Sequence, residues 1–110
     1  MRTVIIDDER NSRESLHTLL TKYCSGVEIV AMADSVQSGV ECITKYEPDL
    51  VMLDIQMQDG TGFDLLKQVE NLSFQLIFTT VVTLHIQEAL DTMFRSEMII
   101  LKHFVEVFLF

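Results

Sequence analysis

Residues 48–63 read PDLVMLDIQMQDGTGF. Leu50, Val51, Met52 and Leu53 form an uninterrupted apolar run between Asp49 and Asp54. A short apolar run bounded by turn residues fits a strand buried on both faces. Pro48 closes whatever helix precedes it, because the residue before a proline is driven out of helical conformation. Beyond the strand, Asp59-Gly60-Thr61-Gly62 supplies turn chemistry. Phe63, Leu66 and Val69 then recur at the spacing of an inward helical face. Asp54 stands between Leu53 and Ile55, so the strand ends on a carboxylate that is partly buried, where an unpaired charge is costly.

The same alternation extends in both directions. Thr3 to Ile6 reads as a strand ending at Asp7, with Asn11 and Ser12 as capping groups for a helix whose face carries Leu16, Leu19, Leu20 and Tyr23. Val27 to Met32 reads as a second strand. Asp34 or Ser35 caps the next helix, with Val36, Val40 and Ile43 inward. Gln75 to Thr79 makes a fourth strand, residues 86–95 a helix, and Met98 to Leu101 a fifth strand. The pattern predicts an α/β fold, a doubly wound parallel five-stranded sheet covered on both faces. Right-handed crossovers bring all strand carboxyl ends to one edge, where sites in such folds lie. Asp7, Asp8, Asp54, Thr80 and Lys102 all fall at or just beyond those ends.

Composition narrows the function. The 110 residues suit one domain with a single core, and 48% hydrophobic content argues against disorder. The net charge of -9 argues against direct nucleic-acid binding and suits a metal cation. Cys24 and Cys42 are too few for a disulfide framework, which points to a reducing cytoplasm. Asp7, Asp8 and Glu9 interrupt the opening apolar run, so no signal peptide is read there. Apolar runs such as Met98 to Leu101 are far too short to cross a bilayer, and no membrane binding is expected.

Three converging carboxylates raise one another's pKa unless a cation sits among them. Oxygen-only ligands favour a hard ion, Mg²⁺ above others. Asp54 is then placed to attack phosphorus and form an acyl phosphate. Lys102 can pair with one phosphoryl oxygen and the Thr80 hydroxyl can hydrogen-bond another, which are the positioning and electrostatic roles phosphoryl transfer requires. Each residue also has a plain reading. Asp7-Asp8 can be a helix cap, Thr80 an ordinary strand-end residue, and Lys102 a side chain snorkelling from a buried strand. The joint arrangement at four strand ends is the specific signal.

Ile5-Ile6-Asp7-Asp8-Glu9 and Pro48 to Met57 resemble the two acidic signatures of the receiver domains of two-component response regulators. Asp59-Gly60-Thr61-Gly62-Phe63 resembles the turn that follows the phosphorylated aspartate in that family, and the style is similar to regulators with a LytTR-type DNA-binding output. The resemblance implies a flavodoxin-like receiver fold spanning residues 1–110 as a single domain, with Asp54 as phosphoacceptor. It implies Mg²⁺ held by Asp8, Asp54 and the backbone carbonyl of Gln56, with Asp7 acting through a metal-bound water. By the same resemblance Thr80 is the switch hydroxyl and Lys102 the accompanying lysine. A sensor histidine kinase is the implied partner, a second copy of the chain a candidate one, and a longer parent protein carries the output domain.

From Val81 onward the match is poor. Val81 replaces a small residue, Ile99 an aromatic, and His103 the proline that follows the family's lysine. Residues 103–110 form an apolar, β-prone tail where a final helix is expected, so that helix is read as missing or truncated. Truncation or a reading-frame change near codon 81 would account for this; a segment that covers the sheet or packs against a second copy is the third reading. Two rival functions follow. A pseudo-receiver keeps the fold as an interaction module without switching. An aspartyl phosphohydrolase wants an acid/base carboxylate two residues after the nucleophile, and position 56 is Gln.

Overall fold

The computed structural model describes residues 1–79, so the expected fifth strand, the 86–95 helix, Thr80, Lys102 and the 103–110 tail lie outside the described residues. Within them the alternation is realised. Strands β1 (Arg2–Ile6), β2 (Glu28–Ala33) and β3 (Leu50–Leu53) alternate with helices α1 (Arg10–Tyr23) and α2 (Val36–Tyr46). Short strands β4 (Gln56–Met57) and β5 (Gly60–Thr61) precede helix α3 (Gly62–Gln68) and strand β6 (Gln75–Phe78). The main sheet has the order β2-β1-β3-β6 with every pairing parallel. The strands run one residue off expectation at β2, and β6 ends at Phe78, although the Thr79 N–H still donates to the Leu53 carbonyl at 2.9 Å.

Alternation along each strand divides the core in two. Val4, Ile6, Val51, Leu53, Leu76 and Phe78 face α2 and α3, meeting Val36, Ile43, Phe63, Leu65 and Leu66. Ile5, Leu50 and Met52 face the other way, where Leu16 and Leu20 of α1 cover them. Helix α2 comes close enough to the sheet that a Cβ on Gly39 would lie 2.6 Å from Leu65 Cδ1 and 3.1 Å from Ile6. A side chain there would have to displace the ends of Leu65 and Ile6, a cost that glycine avoids in exchange for its helix penalty.

Helix α1 departs from expectation at both levels. Its N-cap is Glu9, with no side-chain cap, instead of Asn11 or Ser12. The acidic loop organises the start instead: Asp7 Oδ1 accepts the Glu9 N–H at 2.9 Å, and Arg13 Nη1 donates to the Asp7 carbonyl at 2.8 Å. The expected inner face is also narrower, since Leu19 is 53% and Tyr23 70% exposed. The seam against the sheet is one i,i+4 pair wide, Leu16 and Leu20.

Candidate acidic site at the carboxyl edge of the sheet

Register places the site. Ile6 pairs with Leu53, and Leu53 with Phe78, so the next residues outward, Asp7, Asp54 and Thr79, line one row across the sheet edge. The ladder holds that row in place. The Asp54 N–H donates to the Ile6 carbonyl at 2.8 Å and the Asp7 N–H to the Ala33 carbonyl at 3.0 Å. Both aspartates are anchored through their backbones, which leaves their carboxylates to meet beyond the strands.

Asp7, Asp8 and Asp54 each contribute a carboxylate oxygen to a group whose members all lie within 4.8 Å of one another. Asp7 and Asp54 are buried and Asp8 is half-buried. Burial pushes Asp7 up to about 6, against the bond from Glu9 N–H, and the nearby Asp54 charge adds to the rise. Asp8 is also raised, by burial first and by Asp54 next. Among the described residues no lysine or arginine forms an ion pair with Asp7 or Asp8. An all-oxygen set of like charges, two of them buried, fits a hard divalent cation, which removes the repulsion and satisfies the desolvated oxygens together.

Thus the structure brings together Asp7, Asp8 and Asp54 from the expected set. Gln56 lies two residues on, its N–H 3.3 Å from Asp54 Oδ1. Thr80 and Lys102 fall outside the described residues.

Sequence reasoning missed how the loop after Asp54 is built. Gln56–Met57 pairs antiparallel with Gly60–Thr61, a two-residue ladder too short to leave a periodic signal. At its end α3 starts against Asp54: the Gly62 N–H donates to the Ile55 carbonyl at 2.8 Å, and a Cβ there would lie 2.7 Å from the Asp54 carbonyl oxygen. The Thr61 and Asp64 side chains form a capping box that fixes the helix start. Asp59 reaches α2, with Oδ1 accepting the Val36 N–H at 2.8 Å and Oδ2 the Gln37 N–H at 3.1 Å. Those bonds hold its carboxyl below the usual carboxylate range. The signal for Gly62 was present in the T-G-F-D run, but the Asp59 contact spans 22–23 residues and has no local signature.

Comparison with known proteins agrees with this geometry. The family model described as response regulator receiver domain matches residues 3–104. The chain is 39% identical over 82 residues to the sensory transduction protein LytT of Enterococcus faecalis, covering 73% of this chain and 34% of that protein. It therefore spans about a third of the length of such curated relatives. Among solved structures, the response regulator domain of Thermotoga maritima CheB superposes with a TM-score of 0.74 at 23% identity, covering 83% of this chain and 71% of that one. A LuxR-family DNA-binding response regulator from Staphylococcus aureus gives 0.75 at 24% identity, covering 82% of this chain and 78% of that one. Those two likenesses establish the fold.

Proposed function

The chain belongs to the response regulator receiver domain family, and from that premise we propose that it accepts a phosphoryl group on Asp54 with Mg²⁺ bound beside it. The observation that carries the proposal is the trio of Asp7, Asp8 and Asp54, with oxygens within 4.8 Å at the carboxyl edge of a parallel sheet. Asp8, Asp54 and the Gln56 carbonyl are the proposed ligands, with Asp7 acting through a bound water. When bound, Mg²⁺ supplies the positive charge that lets an anionic phosphodonor approach three carboxylates.

The chain's own residues do the remainder. An Asp54 oxygen attacks phosphorus, the phosphorus–donor bond breaks, and its electron pair leaves with the donor group. A sensor histidine kinase is the proposed donor. The ladder bond from Asp54 N–H to Ile6 fixes the nucleophile's backbone, so reorganisation at the moment of transfer is small. Thr80 and Lys102 are assigned, through the family resemblance, to the phosphoryl oxygens.

Residues 1–110 act in this reading as one cytoplasmic receiver domain. It catalyses its own phosphorylation and dephosphorylation and changes conformation to control an output domain in a longer parent protein. A second copy of the chain is a further proposed partner. The greater length of the curated relatives supports the longer parent.

Incubation with acetyl phosphate, with and without Mg²⁺, followed by intact-mass spectrometry of the chain and of Asp54→Asn, tests this. A Mg²⁺-dependent adduct lost in the variant is expected. A folded chain that binds Mg²⁺ and takes no adduct would instead be a pseudo-receiver.

A further inference from the structure

Helix α2 opens with three backbone N–H groups that have no partner inside the helix, at Val36, Gln37 and Ser38. Ser35 serves only one, its hydroxyl accepting from the Ser38 N–H at 3.0 Å. The other two are taken by Asp59, at 2.8 and 3.1 Å. The helix is thus capped from two places, one local and one more than twenty residues away in sequence.

Asp59 occupies a particular position in its own segment. Residues 58–59 are the turn joining Gln56–Met57 to Gly60–Thr61, so Asp59 sits at the tip of a two-residue hairpin. The base of that hairpin is fixed at Asp54, whose N–H is bonded to Ile6, and at Gly62, whose N–H is bonded to Ile55. Between base and tip lies Gln56. Two short ladder pairs alone make a hairpin of marginal stability, so its backbone rests on contacts outside the ladder: Ile55 and Met57 packed in the core on one side, and the Asp59 bonds to α2 at the tip.

We infer that Asp59 is a positioning residue for the acidic site: by fastening the hairpin tip to the start of α2, it sets the Gln56 carbonyl at the distance from Asp54 and Asp8 that a divalent cation requires. The inference rests on the reading of that carbonyl as a metal ligand. Groups that orient ligands without touching the ion commonly control affinity by about ten- to a hundredfold. Mg²⁺ is the demanding case, because it tolerates little departure from octahedral geometry.

The test titrates MgCl₂ at constant ionic strength into the 110-residue chain and into Asp59→Ala, Asp59→Asn and Ser35→Ala, reading the binding midpoint calorimetrically and the melting temperature in parallel. Ser35→Ala removes the local cap of the same helix and leaves the hairpin fastened. It is expected to lower the melting temperature and keep the Mg²⁺ midpoint. Asp59→Ala is expected to weaken Mg²⁺ about tenfold. Asp59→Asn, which keeps one acceptor oxygen, should fall between and covers the case in which the alanine variant does not fold. Midpoints for Asp59→Asn and Ser35→Ala that agree within twofold overturn the inference. If the unaltered chain takes up no Mg²⁺, the metal reading falls and this inference with it. If it binds Mg²⁺ and is phosphorylated while the Asp59 variants match it, only the inference falls.

Discussion

Asp7 carries a cost that its fold imposes. Its carboxyl is pushed up to about 6 from an ordinary 3.8, chiefly by burial. A group with a raised folded-state pKa favours the folded state when protonated, so its contribution is fully present below pH 4 and is lost as pH rises through about 6. In the metal-free protein Asp7→Asn should therefore be more stable than the unaltered chain at pH 7.5, by roughly 2 kcal/mol once solvent screening on the Asp8 side is allowed for. Below pH 4 the two should melt together. Urea unfolding in EDTA at both pH values checks this, and equal stabilities at pH 7.5 would rule it out. Thr79 carries a second cost at the same edge. Its Oγ1 is buried and has no hydrogen-bond partner among the described residues. Thr79→Val keeps the shape and removes the desolvated hydroxyl, so the resting protein should gain about 1 kcal/mol. A loss of stability on that substitution would mean that the hydroxyl has a partner after all.

At the scale of elements, the four strands of the described main sheet were legible, while the short strands β4 and β5 and the start of α1 were not. Buried strands announce themselves because both faces need apolar residues, as in Leu50 to Leu53 and Thr3 to Ile6. Helix α1 misled because its start is set by the Asp7 carboxylate and its face is covered along a single seam, and neither is a property of the helix's own sequence. The start of α2 was legible at Ser35, which makes a capping box with Ser38, but not at Asp59. Ser35→Ala should cost about 1 kcal/mol, measurable as a fall in urea midpoint at unchanged slope. Helix α3 gives a sharper test. Its first residue, Gly62, lies so close to the Asp54 carbonyl that an added Cβ would stand at 2.7 Å from backbone, which cannot swing aside as a side chain can. Gly62→Ala must push either α3 or Asp54 outward. Phosphoryl uptake from acetyl phosphate should fall at least tenfold while circular dichroism retains the α/β signature; uptake within twofold of the unaltered chain would show that the two segments move apart freely.

Across the whole molecule, a topological rule makes the site readable from the sequence. Parallel strands joined by right-handed crossovers share one carboxyl edge, so residues 7, 8 and 54 had to meet if the strands were right. Their oxygens do meet, within 4.8 Å. What the rule does not fix is spacing within the loop after Asp54, which depends on contacts to α2 and α3. The chain as a whole carries a charge of -9, and among the described residues Asp7, Asp8 and Asp54, two of them buried, gather into one acidic group. Cation binding should therefore stabilise the fold by more than ionic screening does. Because the ion competes with protons for the same oxygens, the gain must depend on pH. At a hundredfold excess over its dissociation constant, Mg²⁺ should add about 2.7 kcal/mol near pH 7.5. The gain should shrink as pH falls through about 6, where Asp7 takes up its proton, and vanish near pH 4. NaCl at matched ionic strength should reproduce little of it, since buried pairs are screened far less than exposed ones. Melting curves across that pH range in MgCl₂, NaCl and EDTA decide the matter. A Mg²⁺ effect equal to that of NaCl, or unchanged between pH 7.5 and pH 4, would mean that the three carboxylates do not hold the ion.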